Sequence, residues 1–194
     1  MAYGERFEEA LQLAARLHRL QVRKSTGIPY ITHLLAVAAM VGEEGGTEDE
    51  VIAALLHDAV EDQGGRATLE VIRERFGETV AAIVHASSDA EVTPKPPWRQ
   101  RKEAYLAHLA EASPSVRLIS CADKLHNARS ILADLDELGE SLWSRFNGGK
   151  EGTLWYYRAV VETLRTHGAP RRLLRELEAA VEQMERRARP PASC

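Results

Sequence analysis

The sequence predicts an all-α fold, and three observations support that prediction. Apolar residues recur with helical spacing, as in Phe7, Ala10, Leu11, Ala14 and Leu17 near the start of the chain. Aromatic residues make up only 6% of the 194 residues, whereas alanine and leucine are plentiful. No segment shows the alternation of polar and apolar residues that is typical of a half-buried strand. A chain of this length can bury a core of its own, so we expect one domain.

The helices are predicted in order from apolar spacing and from the residues that begin and end them. Thr47 starts one helix as part of a capping box, and Ser113 followed by Pro114 starts another. Glycine and proline mark loops at residues 23–30 and 88–97, and a further loop is predicted at 138–149. The predicted helices cover approximately residues 5–20, 30–44, 47–63, 68–76, 78–87, 98–109, 114–135, 150 onward and 171–189.

Composition and charge narrow the classes of function. The net charge is −4, and a nucleic-acid-binding domain is usually strongly basic, so we expect no nucleic-acid partner. The two cysteines, Cys121 and Cys194, form no disulfide framework and favour a reducing cytoplasm. The longest apolar run, residues 34–41, is far shorter than the ~20 residues of a membrane span. The first residues lack the layout of a signal peptide. The oligomeric state stays open.

Four ionisable side chains follow the apolar run of the predicted third helix: His57, Asp58, Glu61 and Asp62. On a continuous helix His57 and Glu61 are neighbours at i,i+4, and so are Asp58 and Asp62. Acidic residues at the C-terminal end of a helix conflict with its macrodipole, and a bound cation would remove that conflict. A solvated helix end is the commoner explanation of such a cluster. The alternative is that the first pair binds a metal and the second transfers protons.

Other candidate site residues are more widely spaced. Asp123, Asn127 and Ser130 lie on one face of the helix after Pro114, and the apolar neighbours of Asp123 indicate a buried carboxylate that needs a partner. His33 lies one turn into the second helix and, taken alone, is interpreted as a structural histidine. His18 is likewise interpreted as a packed or surface histidine.

Two basic segments are candidates for phosphate binding. The loop Arg23-Lys24-Ser25 combines two cations with a hydroxyl group, which suits phosphate, although a solvated turn is the commoner explanation of such a segment. The helix start at residues 98–102 also carries cations, which either reach a substrate or face solvent.

The order His33, His57-Asp58, Asp123 resembles the HD superfamily of metal-dependent phosphohydrolases, which are helical bundles. The flanking sequence is more specific: it resembles the hydrolase domain of the RelA/SpoT homologues, which remove the 3′-pyrophosphate of (p)ppGpp. The resembling segments are residues 23–25, 27–33, 57–62 and 122–127, within a resemblance that covers about residues 3–165. It implies a small hydrolase domain standing alone over residues 1–194, with a core at about 3–165, a C-terminal helix at about 170–189 and a frayed tail at 190–194.

The resemblance also implies the roles of individual residues. One Mn²⁺ per chain is expected, although the ligand types also admit Fe²⁺, Co²⁺ or Zn²⁺. The implied metal ligands are His33, His57, Asp58 and Asp123, and the implied catalytic pair is Glu61 and Asp62. The expected substrate contacts are Arg23, Lys24, Ser25, Asn127, Ser130 and Tyr157, with Tyr156 as the alternative to Tyr157.

The chain departs from the family pattern at two positions, and the sequence also admits other functions than hydrolysis of (p)ppGpp. The usual Glu-Asp-Thr reads Glu61-Asp62-Gln63, and the usual His-Pro reads His33-Leu34. One alternative is a phosphatase acting on another 2′- or 3′-phosphorylated nucleotide such as NADPH. A second is a non-catalytic nucleotide-sensing module. A third, an HD nuclease, is disfavoured by the acidic net charge.

Overall fold

The computed structural model describes residues 3–23, 26–88 and 96–189, and every regular element in these ranges is a helix. The predicted all-α fold is therefore confirmed. The helices are α1 (Glu5–Leu17), α2 (Ile31–Glu43), α3 (Glu48–Leu56), α4 (Ala59–Asp62), α5 (Gly65–Phe76), α6 (Glu78–Ser87), α7 (Trp98–Glu111), α8 (Pro114–Leu138), a 3-10 helix (Gly139–Arg145), α9 (Gly149–His167) and α10 (Arg171–Arg187).

The predicted N-terminal boundaries of the helices agree with the structure better than the predicted C-terminal boundaries do. The capping box at the start of α3 forms as predicted, because the Thr47 hydroxyl and the Glu50 carboxylate each accept a backbone N–H of the other residue. Ser113 caps α8 with Pro114 in its first turn. The predicted first helix was too long, since α1 ends at Leu17. The predicted loop at 138–149 was wrong in part, because a 3-10 helix occupies half of it.

The predicted third helix does not run unbroken to Gln63. It ends at Leu56, and a separate four-residue helix begins at Ala59. Nδ1 of His57 lies 2.8 Å from the carbonyl oxygen of Ala54, the acceptor that the next backbone N–H would use in a continuous helix. The interpretation based on an adverse macrodipole is therefore wrong for Glu61 and Asp62, which belong to the short helix α4 rather than to the end of α3.

The core is centred on α3, whose residues 51–56 are all buried. This helix packs against α1, α2 and α6, while α2 also packs against the long helix α8. The first turn of α2, the C-terminal end of α3 and the middle of α8 are thereby brought together. On the other side, α9 packs against α7 and α10, and α10 covers α8. No helix among the described residues is long and apolar enough to cross a membrane.

Candidate active site

The four predicted metal-ligand side chains converge where α2, the α3–α4 junction and α8 meet. Nε2 of His33 lies 3.2 Å from Oδ1 of Asp123 and 3.6 Å from Oδ2 of Asp58. Nε2 of His57 lies 3.1 Å from Oδ2 of Asp58 and 3.9 Å from Oδ1 of Asp123. Residues that are far apart in the chain thus present their donor atoms to one point.

These residues fit a divalent cation. The Nε2 atoms of His33 and His57 are buried, and neither makes a well-directed hydrogen bond within the described ranges. Metal–ligand bonds of about 2 Å place neighbouring donor atoms about 3 to 4 Å apart, which is the spacing observed here. Two imidazoles and two carboxylates are also a donor set that transition-metal dications accept. His33, His57 and Asp58 therefore form a possible His/Asp metal site, and Asp123 lies beside it with Oδ1 3.2 Å from Nε2 of His33.

The charges at this centre also favour a cation. Burial would raise the pKa of Asp58, but the neighbouring imidazoles of His57 and His33 hold that pKa well below its ordinary value. Burial would also raise the pKa of Asp123, but the charge of the Lys124 ammonium outweighs burial, and the pKa of Asp123 is lowered. Both carboxylates therefore stay ionised. Burial would lower the pKa of His57, yet the charge of Asp58 raises it to about 9. A cation that binds here must therefore displace a proton.

Each imidazole is oriented by a hydrogen bond of its Nδ1 atom, on the side of the ring away from the candidate metal site. Nδ1 of His57 contacts the carbonyl of Ala54, and Nδ1 of His33 lies 2.8 Å from Nδ1 of His126. These contacts turn both Nε2 atoms toward the centre. Sequence reasoning missed His126 in this role. This role could have been inferred from the position of His126 three residues after Asp123, which places both side chains on the same side of α8.

The two carboxylates are held in a similar way. The Tyr30 hydroxyl donates to Oδ2 of Asp58 at 2.6 Å. The Lys124 ammonium donates to Oδ2 of Asp123 at 2.5 Å, and the Asn127 amide donates to Oδ1 of Asp123 at 2.5 Å. Tyr30 and Lys124 were also missed, although each lies within three residues of a predicted ligand. The candidate ligands are therefore fixed before any ion binds.

The predicted acidic pair opens into the same cleft as the candidate ligands. Glu61 and Asp62 both line it, and Oδ2 of Asp62 accepts a hydrogen bond from Nε2 of Gln21 at 2.8 Å. Partial burial raises the pKa of Asp62, the hydrogen bond from Gln21 lowers it, and the charges of Asp58 and Glu61 raise it, so that the pKa lies above its ordinary value. One carboxyl group of the pair is thus biased toward its protonated form.

The cleft has a volume of about 610 Å³ and accommodates a nucleotide-sized ligand. Of the predicted substrate contacts, Arg23, Asn127, Ser130 and Tyr157 line it, and so does Tyr156. Arg23 donates to Oδ1 of Asn127 at 2.7 Å, so it is linked through Asn127 to the candidate metal ligand Asp123. The Ser130 hydroxyl donates to a carbonyl of its own helix. Lys24 and Ser25 lie outside the described residues.

The part of the cleft that is lined by α7 is cationic and aromatic. Arg101 and Lys102 line the cleft, which favours a site-facing role for the cations at the start of α7 over a purely solvated helix start. Arg145 lines it as well. Trp98 packs closely on the start of α9, where a Cβ atom at Gly148 would lie 2.6 Å from its ring. The predicted loop at 88–97 falls mostly on residues outside the described ranges.

Comparison with known proteins identifies the family. The profile of the HD domain matches residues 10–154, which include all four candidate ligands. The chain belongs to the HD domain family. It is 40% identical over 126 residues to the human guanosine-3′,5′-bis(diphosphate) 3′-pyrophosphohydrolase MESH1, a match that covers 63% of this chain and 68% of that protein. It is 36% identical over 130 residues to the Aquifex aeolicus enzyme of the same name, covering 66% of this chain and 18% of that protein.

A solved structure supports the same assignment of this HD domain. It is described as a metazoan ortholog of SpoT that hydrolyzes ppGpp and plays a role in starvation responses. The two folds superpose with a TM-score of 0.75 at 28% sequence identity, over 94% of this chain and 97% of the other. The resemblance inferred from the motifs around His33, His57-Asp58 and Asp123 is thus confirmed at the level of the family.

Proposed function

We propose that this HD domain protein hydrolyses the 3′-pyrophosphate of (p)ppGpp to GDP or GTP and pyrophosphate. The observation that supports it most is that four candidate metal ligands converge and that three of them, His57, Asp58 and Asp123, line one cation-lined cleft of nucleotide size together with the acidic pair. The relatives described above are named for the same reaction. We further propose that the protein works in the cytoplasm on this small-molecule substrate, and that residues 3–165 contain the activity.

We propose Mn²⁺, one per chain, as the cofactor held by His33, His57, Asp58 and Asp123. The donor set would also accept Fe²⁺, Co²⁺ or Zn²⁺, and the choice of Mn²⁺ rests on the family resemblance. When bound there, a divalent cation would polarise the scissile phosphate and lower the pKa of a water molecule. The hydrogen bonds to His126 and Ala54 would keep both imidazoles turned toward it.

Glu61 and Asp62 would handle the protons of the reaction. In this proposal the Glu61 carboxylate orients the attacking water and accepts its proton, and the Asp62 carboxyl group donates a proton to the departing ribose 3′-oxygen. The raised pKa of Asp62 favours this division, because a proton donor must hold its proton near neutral pH. The P–O bond to the ribose breaks and the pyrophosphate leaves with the oxygen of the water.

The rest of the cleft would bind the nucleotide. The guanidinium plane of Arg23 is held by Asn127 and is thus available to stack on the guanine. Lys24 and Ser25 would contact the phosphate and ribose, as the resemblance implies. Asn127 lies beside the candidate ligand Asp123 and would approach the scissile phosphate. Ser130 and Tyr157 would line the same space, while Arg101 and Lys102 are placed to reach the 5′-phosphates.

A substrate panel tests this function. The purified protein with Mn²⁺ is incubated separately with ppGpp, pppGpp and NADPH, and the products are separated by anion-exchange chromatography. We expect GDP or GTP with an equal amount of pyrophosphate, and little phosphate from NADPH. Release of phosphate from NADPH alone would identify the alternative phosphatase. Tight binding of ppGpp without turnover would identify a nucleotide-sensing module instead.

A further inference from the structure

The side-chain amide of Gln21 connects three other side chains at the edge of the cleft. Its Nε2 donates to Oδ2 of Asp62 at 2.8 Å. Its Oε1 accepts from Nε2 of Gln63 at 2.6 Å and lies 2.7 Å from Nδ1 of His18. Both ends of the amide are therefore engaged, and one end is bound to a member of the acidic pair.

The observed contacts fix one direction for the network. The nitrogen of the Gln21 amide faces Oδ2 of Asp62, and this oxygen accepts the hydrogen bond whether or not the other oxygen of the carboxyl group carries a proton. The oxygen of the Gln21 amide faces the other two groups. Gln63 donates to it through its NH₂ group, and His18 donates to it in the tautomer that has a proton on Nδ1.

The network is anchored on a buried ring. His18 is only 1% exposed, and it stacks on Tyr30 with ring centroids 5.5 Å apart and an interplanar angle of 22°. The hydroxyl of Tyr30 in turn donates to the candidate ligand Asp58. The amide of Gln21 is thus held by a ring that is packed against the metal side of the site.

Asp62 needs such support because its own backbone element is short. It is the last residue of the four-residue helix α4, and Gly64 and Gly65 follow with φ values of 117° and 60°. Glycine at these angles offers little resistance to backbone rotation. Side-chain hydrogen bonds from outside the helix are therefore needed to fix the direction of the carboxylate.

At the position of Gln63, the family pattern that this chain resembles has a threonine. A threonine side chain is two bonds shorter and has no NH₂ group, so it cannot make the contact that Gln63 makes with Oε1 of Gln21. The second donor to the Gln21 amide is therefore specific to the residue of this chain at that position.

We propose that Gln21, supported by Gln63 and His18, is a positioning residue that aims the Asp62 carboxyl group into the cleft. The inference rests on the proposed function in one respect, namely that Asp62 acts as the proton donor. Gln21 also lines the cleft, but its side-chain hydrogen bonds go to Asp62, Gln63 and His18 and to none of the candidate metal ligands, so we assign its effect to Asp62. Loss of its amide therefore misdirects a proton transfer without weakening binding of the metal or the nucleotide.

The test combines Gln21→Met with Asp62→Asn. Gln21→Met removes the amide at nearly constant length, and we expect kcat for ppGpp to fall about tenfold while KM changes less than about twofold. In the Asp62→Asn background the same substitution is expected to lower kcat by less than about twofold, since the substituted amide has no acidic proton for Gln21 to direct. Gln12→Met, at an exposed position of α1, is the matched control and keeps wild-type kinetics.

Two results would overturn the inference: an equal loss of kcat in both backgrounds, or an effect of Gln21→Met on KM alone. Wild-type turnover of Asp62→Asn would instead remove Asp62 from the proposed mechanism. A measurement independent of activity separates the two failures. The ¹H and ¹⁵N resonances of the Gln21 side-chain amide should shift in Asp62→Ala if the contact exists, and unchanged resonances contradict the positioning role.

Discussion

The two ends of the cleft differ in how their side chains are held. At the metal end, His33 and Asp123 stand on α2 and α8, His57 and Asp58 stand at the α3–α4 junction, and hydrogen bonds from their surroundings hold all four side chains. At the opposite end, Lys102 reaches the cleft from the start of α7, and its ammonium group lies 4.9 Å from the centroid of the Tyr156 ring. The candidate ligands are thus held by directed hydrogen bonds, whereas Lys102 is held over an aromatic ring.

The largest expected effect tests the chemistry beside the metal end. Glu61→Gln should lower kcat for ppGpp by ~10²–10⁴, because the amide cannot accept the proton of the attacking water. The dissociation constant of Mn²⁺, measured by calorimetry, should stay within about twofold of the wild type, since Glu61 is not a proposed ligand. Glu74→Gln, at an exposed position of α5, serves as the control. Turnover close to that of the wild type would exclude Glu61 as the base.

The next effect tests whether the metal end is preorganised by its outer contacts. His126→Ala removes the partner of Nδ1 of His33, and we expect Mn²⁺ affinity to fall by about 10- to 100-fold. Calorimetry on the metal-free protein measures this directly. His167→Ala, on the exposed end of α9, should leave the affinity unchanged. If His126→Ala binds Mn²⁺ as tightly as the wild type, the imidazole pair does not hold the ligand in place.

The residues that are changed in these two variants illustrate how much of the site could be predicted from the sequence. The convergence of the four candidate ligands was predictable, because the motifs around His33, His57-Asp58 and Asp123 keep a recognisable order along the chain. His126, Tyr30 and Lys124 were not predicted, because a hydrogen bond to a ligand depends on how α2 and α8 pack rather than on a motif. The break after Leu56 was also missed, since it arises from the contact of a side chain with the carbonyl of Ala54.

A smaller effect is expected at the opposite end. Lys102→Met should raise KM for ppGpp about tenfold and leave kcat within about twofold, because a charge-assisted contact with a remote phosphate adds uniform binding. Steady-state kinetics with ppGpp measures both constants. Lys150→Met, which affects a lysine paired with Glu140 outside the cleft, is the control. A loss in kcat equal to the loss in kcat/KM would move Lys102 into the chemical step.

The last expected effect is on stability rather than on activity, and it tests the support of the part of the cleft that is lined by α7. Gly148→Ala places a Cβ atom 2.6 Å from the Trp98 ring, and we expect the free energy of unfolding to fall by ~1–3 kcal/mol. Denaturant titration measures it. Gly4→Ala is the control, because its Cβ atom would meet its nearest neighbour at an ordinary 3.5 Å. Unchanged stability of Gly148→Ala would mean that Trp98 moves freely and does not brace this part of the cleft.

The central claim is that one cation at His33, His57, Asp58 and Asp123 is required for hydrolysis of ppGpp. Its most direct test is a parallel titration of the metal-free protein with Mn²⁺, in which binding is measured by electron paramagnetic resonance and pyrophosphate release is measured in the same samples. We predict that both curves saturate together at one Mn²⁺ per chain and that Asp123→Ala abolishes both. Full turnover in the presence of excess chelator would contradict the account.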